Sequence, residues 1–173
     1  GGDDTLNGNG GNDSMNGGSG SDTIWGHWDD DTIYADLAQA QGLLFVPGGN
    51  DRMFTRALTL PADGLILDLE DAVAPDRKAA TRGVVREWLA RNDFGGRERW
   101  VRMNPIATGL GEADLEETIA GRPDGYVVPK PGRAADIREI ARILDRLEQQ
   151  HGIPNGATRL TVIATETPEG LLN

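Results

Sequence analysis

Four aspartates near the amino terminus recur at a spacing of nine residues: Asp4, Asp13, Asp22 and Asp31. Glycines and one apolar residue keep the same step, and the unit GGSGSDTIW at 17–25 shows the pattern in full. Glycine permits the positive φ values of a tight turn, and a carboxylate supplies the hard oxygen that Ca²⁺ prefers. If each unit forms half a coil, units two apart stack, so Asp4 faces Asp22 and Asp13 faces Asp31. The spacing therefore predicts a repeating, calcium-binding segment of short strands.

A second set of polar residues follows the predicted strands in the rest of the chain. In chain order they are Gly48, Glu70, Asp71, Arg102, Asn104, Lys130 and Glu166. In a (β/α)8 barrel, the carboxyl end of each strand contributes to one face, and active sites are built on that face. No G-x-G-x-x-G follows a strand, so a dinucleotide-binding fold has no support. The placement predicts an active-site face of a barrel.

The elements that position these residues alternate between strand and helix. The apolar pattern predicts strands at 43–46, 64–69, 100–103, 125–128 and 160–164, and helices through 58 and at 76–90, 112–119 and 134–149. The last helix carries apolar residues at three- and four-residue spacing, which is the period of an amphipathic helix. Strands alternating with helices of this length predict βαβ units and a parallel sheet. We therefore expect an α/β fold made of the first five units of a barrel.

The composition divides the chain in two. The formal net charge is −11, and residues 1–36 hold eight acids and no Lys or Arg. We predict a repeat segment at 1–36 and a second domain at 41–173. In the absence of calcium, the composition of residues 1–36 is also that of a flexible acidic linker. The chain has no cysteine, which excludes disulfides and thiolate metal sites. No apolar run approaches the roughly 18 residues of a membrane span, and the acidic balance disfavours nucleic acid.

Five blocks in the second domain carry a family resemblance: LLFVPGGNDRMFTRAL, LILDLEDAVAPDRKAATR, WVRMNP, DGYVVPK and IATETPEGLLN. Over 43–173 they resemble the citrate lyase β-subunit-like and malyl-CoA (citramalyl-CoA) lyase family of the HpcH/HpaI aldolase superfamily. The nonapeptides over 1–34 resemble RTX calcium-binding repeats, which implies a short all-β calcium β-roll at this end of the chain. The first resemblance implies a Mg²⁺-dependent carbon–carbon lyase that acts on 3-hydroxyacyl thioesters of CoA or a carrier protein.

The resemblance also implies roles for individual residues. It makes Glu166 the Mg²⁺ ligand and Arg102 the group that holds the substrate carboxylate or carbonyl. It places Glu70 and Asp71 beside the metal as catalytic residues. The residues implied to line the substrate pocket are Lys130, Asn104, Pro47 and Gly48, with Glu166 and Arg102. Taken singly, each has an alternative reading as an ordinary strand-end charge or ion-pair partner, and Asp68 is given no role.

The chain also departs from the family. It carries five predicted strands where a barrel has eight, and the family's second Mg²⁺ ligand, an aspartate after strand six, has no counterpart. We therefore expect no useful catalysis from these 173 residues alone, and a homo-oligomer of the family type is possible. A calcium-binding repeat module fused to a non-catalytic half-barrel is the alternative. Thioester chemistry favours the cytoplasm, whereas RTX repeats keep secretion open.

Overall fold

The structure is a computed structural model that describes residues 5–7, 14–18, 23–25, 32–35, 42–163 and Glu166. The chain forms two compact units, Gly1–Leu43 with Pro61–Asp63, and Leu44–Leu60 with Gly64–Asn173. Within the described residues, no helix is both long enough and apolar enough to cross a membrane.

The repeat segment forms four short strands: β1 (Thr5–Asn7), β2 (Ser14–Gly18), β3 (Thr23–Trp25) and β4 (Thr32–Ala35). Strand β1 pairs in parallel with β3, with Thr5 opposite Thr23. Strand β2 pairs in parallel with β4, with Ser14 opposite Thr32. Both pairs join units that are two repeats apart, as the half-coil prediction requires. The four repeat aspartates lie outside the described residues.

The second unit is built on one five-stranded sheet. Its strands are β5 (Leu43–Pro47), β6 (Gly64–Asp68), β7 (Glu98–Arg102), β8 (Gly125–Pro129) and β9 (Arg159–Ile163). The strand order across the sheet is the order along the chain, and β6 to β9 pair in parallel. A doubly wound sheet reverses its order at a switch point, whereas a barrel adds each strand beside the last. The order confirms the predicted barrel-type fold.

Four helices connect these strands: α1 (Asp51–Ala57), α2 (Lys78–Arg91), α3 (Leu110–Thr118) and α4 (Ala134–His151). Asn50 caps α1 because its side-chain oxygen accepts the Met53 amide at 3.1 Å, as the sequence predicted. Gly152 ends α4 in the left-handed conformation, with φ at 61°. Helix α2 begins later than predicted because Pro75–Arg77 form a 3-10 turn ahead of it.

The core lies on both sides of the sheet. Leu65, Leu67 and Val101 are fully buried, and they alternate along β6 and β7 with Ile66 and Trp100. These last two residues form a separate cluster with Val127, against which Ile163 packs. Burial on both faces explains why the strand sequences read as nearly continuous apolar runs. Large apolar side chains that stay exposed include Leu43 and Phe45 on β5 and Val162 on β9, the two edge strands.

Candidate active site

The carboxyl ends of β6, β7 and β8 bring four of the predicted site residues together. The Lys130 ammonium lies 2.7 Å from Oε1 of Glu70 and 3.2 Å from both carboxylate oxygens of Asp71. Nη1 of Arg102 lies 3.3 Å from Oε2 of Glu70. Two cations and two carboxylates from three neighbouring strands therefore form one cluster.

Asp68 holds Arg102 in this cluster. Nε of Arg102 donates to Oδ1 of Asp68 at 2.8 Å, and Nη2 donates to Oδ2 at 2.7 Å. The same carboxylate accepts the backbone amides of Glu70 at 2.8 Å and Ala72 at 3.1 Å. Asp68 is only 2% exposed, so its charge needs these partners. Sequence reasoning gave Asp68 no role, although a charge inside the apolar run GLILDL was itself a signal of a buried partner.

Glu70 is the most unusual group of the cluster. Its side chain is buried, and Oε2 has no hydrogen-bond partner among the described residues. Burial raises the pKa of Glu70 above its ordinary value of 4.5, and the hydrogen bond from Lys130 and the charge of Arg102 offset this only in part. The structure thus keeps one carboxylate oxygen unsatisfied beside an arginine.

Lys130 connects the cluster to Glu166. Its backbone adopts the left-handed conformation, with φ at 47°, which is uncommon for a residue other than glycine. In this conformation the Lys130 amide donates to Oε2 of Glu166 at 3.1 Å. The side-chain hydrogen bond to Glu70, opposed by partial burial, raises the pKa of Lys130, so the ammonium keeps its charge. One residue therefore contacts three of the predicted acidic groups.

A partly buried lysine and a buried asparagine fix the loop that carries Glu70 and Asp71. The Lys78 ammonium donates to the carbonyls of Leu69 at 2.9 Å and Glu70 at 2.6 Å. Nδ2 of Asn104 donates to the same Leu69 carbonyl at 2.9 Å and to Asp114 at 2.7 Å. Asn104 is 2% exposed, and its side-chain amide donates to groups of the protein itself. Its predicted contact with substrate stays a prediction. Sequence reasoning gave no role to Lys78 or Asp114.

Gly48, at the end of β5, contacts the same region through its backbone. Its amide donates to the carbonyl of Asp68 at 2.9 Å. A Cβ placed on Gly48 would lie 2.6 Å from that carbonyl oxygen and 2.6 Å from a methyl group of Thr81. Glycine is therefore required here by close approach, and Pro47 before it is half-buried.

The acidic residues at this end of the sheet suit Mg²⁺ in their donor chemistry. Glu70, Asp71 and Glu166 offer hard carboxylate oxygens, which Mg²⁺ prefers, and Oε2 of Glu70 accepts no hydrogen bond within the described residues, although it lies 3.3 Å from Nη1 of Arg102. Across the described ranges, however, no three His, Cys, Asp or Glu side chains are grouped closely enough to hold a metal ion. The donor types fit, while a complete protein cage is not present in this part of the chain.

Comparisons with known proteins identify relatives of both parts of the chain. Residues 41–173 match the HpcH/HpaI aldolase/citrate lyase family, and residues 8–37 match the RTX calcium-binding nonapeptide repeat. The chain is 39% identical over 107 residues to a (3S)-malyl-CoA thioesterase of Cereibacter sphaeroides, covering 62% of this chain and 38% of that protein. It is 35% identical over 131 residues to citrate lyase subunit beta of Escherichia coli, covering 76% of this chain and 43% of that protein.

A solved structure shows the same relationship. Protein CitE from Mycobacterium tuberculosis, in complex with magnesium and acetate, is 31% identical with a TM-score of 0.56, covering 79% of this chain and 48% of that one. The chain therefore spans less than half the length of each of these three relatives. With the family match extending over 41–173, this chain belongs to the HpcH/HpaI aldolase/citrate lyase family.

Proposed function

We propose that residues 41–173 supply the substrate-binding and Mg²⁺-binding part of a carbon–carbon lyase that acts on 3-hydroxyacyl thioesters. The observation that carries the proposal is the cluster of Arg102, Lys130, Glu70 and Asp71 at the carboxyl ends of three adjacent strands. Among the relatives, citrate lyase subunit beta shares the proposed reaction class by its name, the malyl-CoA thioesterase shares the substrate class, and the CitE complex contains magnesium.

Cleavage of the carbon–carbon bond leaves an enolate, so the site must stabilise negative charge. Arg102 offers a planar fork that suits a carboxylate or a carbonyl of the substrate. Bound Mg²⁺ would act as a Lewis acid toward the developing oxyanion, with Glu166 as its ligand and Glu70 and Asp71 beside it. Lys130 holds these two carboxylates, and a cavity of about 340 Å³ beside Lys130 leaves room for an acyl chain.

The test measures binding as well as turnover, because the described sheet supplies five strands where a barrel has eight. Isothermal titration of the chain with malyl-CoA, at saturating Mg²⁺, should give a measurable affinity that Arg102→Lys lowers at least tenfold. Glu166→Gln should weaken Mg²⁺ binding while it leaves the fold intact. Glu98→Gln is the matched control, since it removes a carboxylate at the opposite end of the sheet.

Amide exchange adds a second readout. Mg²⁺ with malyl-CoA should protect the loop at 69–72 and residues near Arg102, and Glu166→Gln should remove that protection. The proposal fails if the wild-type chain binds neither Mg²⁺ nor malyl-CoA, or if Glu98→Gln weakens both as much as the site variants do. Replacing malyl-CoA by the acyl group on a carrier protein then distinguishes the two carriers.

A second function is favoured by the parallel pairing of repeat strands two units apart. We propose that the repeats bind Ca²⁺ through Asp4, Asp13, Asp22 and Asp31. Asp22→Asn should lower the number of bound calcium ions, whereas Asp3→Asn, which removes the same charge outside the repeat position, should not. If Ca²⁺ binds and malyl-CoA does not, the chain acts as a calcium-binding module with a non-catalytic half-barrel.

A further inference from the structure

The guanidinium of Arg102 presents two edges that can each pair with a carboxylate, one formed by Nε and Nη2 and the other by Nη1 and Nη2. Asp68 occupies the first edge with two hydrogen bonds of 2.8 and 2.7 Å. Nη1 makes no hydrogen bond to any described residue, and the Arg102 side chain keeps an exposed fraction of 13%. Only the Nη1–Nη2 edge is therefore left for a ligand.

Asp68 cannot readily give way, because its own position is fixed on several sides. Its carboxylate accepts two backbone amides of the following loop, and its carbonyl accepts the amide of Gly48. The Phe45 ring lies against the face of the Arg102 guanidinium, with the guanidinium carbon 4.9 Å from the ring centroid. The carboxylate thus fixes the guanidinium in its plane, and the ring limits movement out of the plane.

We propose that Asp68 is a positioning residue that directs the Nη1–Nη2 edge of Arg102 toward the carboxylate of the substrate. Glu70 supports this orientation, since its buried Oε2 lies 3.3 Å from Nη1 and has no hydrogen bond of its own. The proposal rests on the proposed function, in which Arg102 binds the substrate. Beyond that function, the proposal specifies that Arg102 binds the substrate through its Nη1–Nη2 edge and that Asp68 leaves only this edge free.

The first measurement needs only the wild-type chain. Side-chain ¹⁵N NMR should show a slowly exchanging Nε proton and distinct Nη signals for Arg102, assigned by through-bond correlation along its side chain. A rapidly exchanging Nε proton with averaged Nη signals, as in an exposed arginine, overturns the proposal. This result does not depend on any variant folding correctly.

The second measurement is a titration with acetate in the presence of Mg²⁺, followed on the same signals. In wild type, acetate should shift the Nη signals more than the Nε signal. Asp68→Asn should free the guanidinium and lower the acetate affinity about tenfold or more, because a charged hydrogen-bonded pair is lost. In an Arg102→Lys background, in which the backbone amide signals of the loop at 69–72 report acetate binding, Asp68→Asn should cause little further loss, because its effect acts through the arginine.

Asp124→Asn is the matched control. Asp124 also pairs with two nitrogens of an arginine on β7, Arg99, at 3.2 and 3.1 Å, but at the other end of the strand. This variant should leave acetate affinity unchanged. Equal losses in both aspartate variants, or wild-type affinity in Asp68→Asn, overturn the positioning role. If acetate leaves the wild-type Arg102 signals unshifted, the proposed substrate role of Arg102 fails. Restricted motion of the Arg102 guanidinium that Asp68→Asn releases would still support the contact between Asp68 and Arg102.

Discussion

Asp114 is the buried charge whose removal gives the sharpest prediction for stability. It is fully buried in α3, and it accepts Nε of Arg82 at 2.6 Å and both the amide and Nδ2 of Asn104 at 2.7 Å. Asp114→Ala would leave the Arg82 side chain, which is 12% exposed, without its counter-charge. It would also remove the acceptor of the Asn104 backbone amide and of one side-chain N–H of Asn104. Asn104 also donates to Leu69, so the loop that carries Glu70 would loosen.

The magnitude follows from the burial. Breaking a buried ion pair by removing one partner lowers stability by about 3–5 kcal/mol, against about 5–15 kcal/mol for a whole domain. With a urea dependence of about 2 kcal/mol per molar, the unfolding midpoint should fall by roughly 2 M. Far-UV circular dichroism is the suitable probe, because every helix found among the described residues lies between 51 and 151.

Two further variants serve as comparisons for Asp114→Ala. Asp114→Asn keeps the shape and one acceptor oxygen, so it should lose less stability than the alanine variant. Glu112 lies on the same helix as Asp114 and makes an exposed ion pair with Arg146 of α4. Glu112→Gln should change stability by less than about 1 kcal/mol. A loss below about 1 kcal/mol in Asp114→Ala would refute the reasoning, since it would mean that the buried network contributes no more than a surface pair.

Three further predictions concern single positions. Gly125→Ala should lower stability by about 1–3 kcal/mol in the same urea assay, because its Cβ would overlap the Trp100 ring and lie 2.6 Å from the carbonyl oxygen of Arg159; an unchanged midpoint would contradict the packing argument. Burial works against the charge of Asp124, yet the hydrogen bonds from Arg99 hold its pKa below 3.8. The stabilisation by the Asp124 carboxylate is therefore present above pH 3.8 and is lost as the pH falls through the lowered pKa. The difference in urea midpoint between wild type and Asp124→Asn should shrink below about pH 4, and a difference that does not change with pH would contradict this prediction. Lys130→Gly should be about 1 kcal/mol more stable than Lys130→Ala, because only glycine adopts φ of 47° without steric cost; equal midpoints would argue against the left-handed backbone.

Much of the fold could be predicted because its signals are local. Apolar runs, the glycine that ends α4 and the asparagine that caps α1 each act on neighbouring residues. The polar residues at strand ends could be placed on one face because parallel strands share their carboxyl edge. That reasoning grouped Glu70, Asp71, Arg102 and Lys130, which the structure brings together.

The residues that support the site could not be predicted in the same way. Asp68 and Arg102 lie on different strands, and their contact depends on the register between β6 and β7, in which they are directly opposite. Asp114 joins α3 to Arg82 on α2, a contact that depends on how two helices pack. Nonlocal pairs of this kind leave no periodic trace in a single sequence, although a charged residue within a buried strand marks where one must exist.

The order of strands in the sheet has a consequence for how the protein is made. Each strand of the second unit lies beside the one that precedes it in the chain, so no strand must wait for a distant segment to be synthesised. A ribosome adds about 5–20 residues per second, whereas a short loop closes in well under a millisecond. Each strand and helix can therefore dock on the growing edge of the sheet as it emerges. At every stage of translation, the two edge strands of the sheet are β5 and the strand made last.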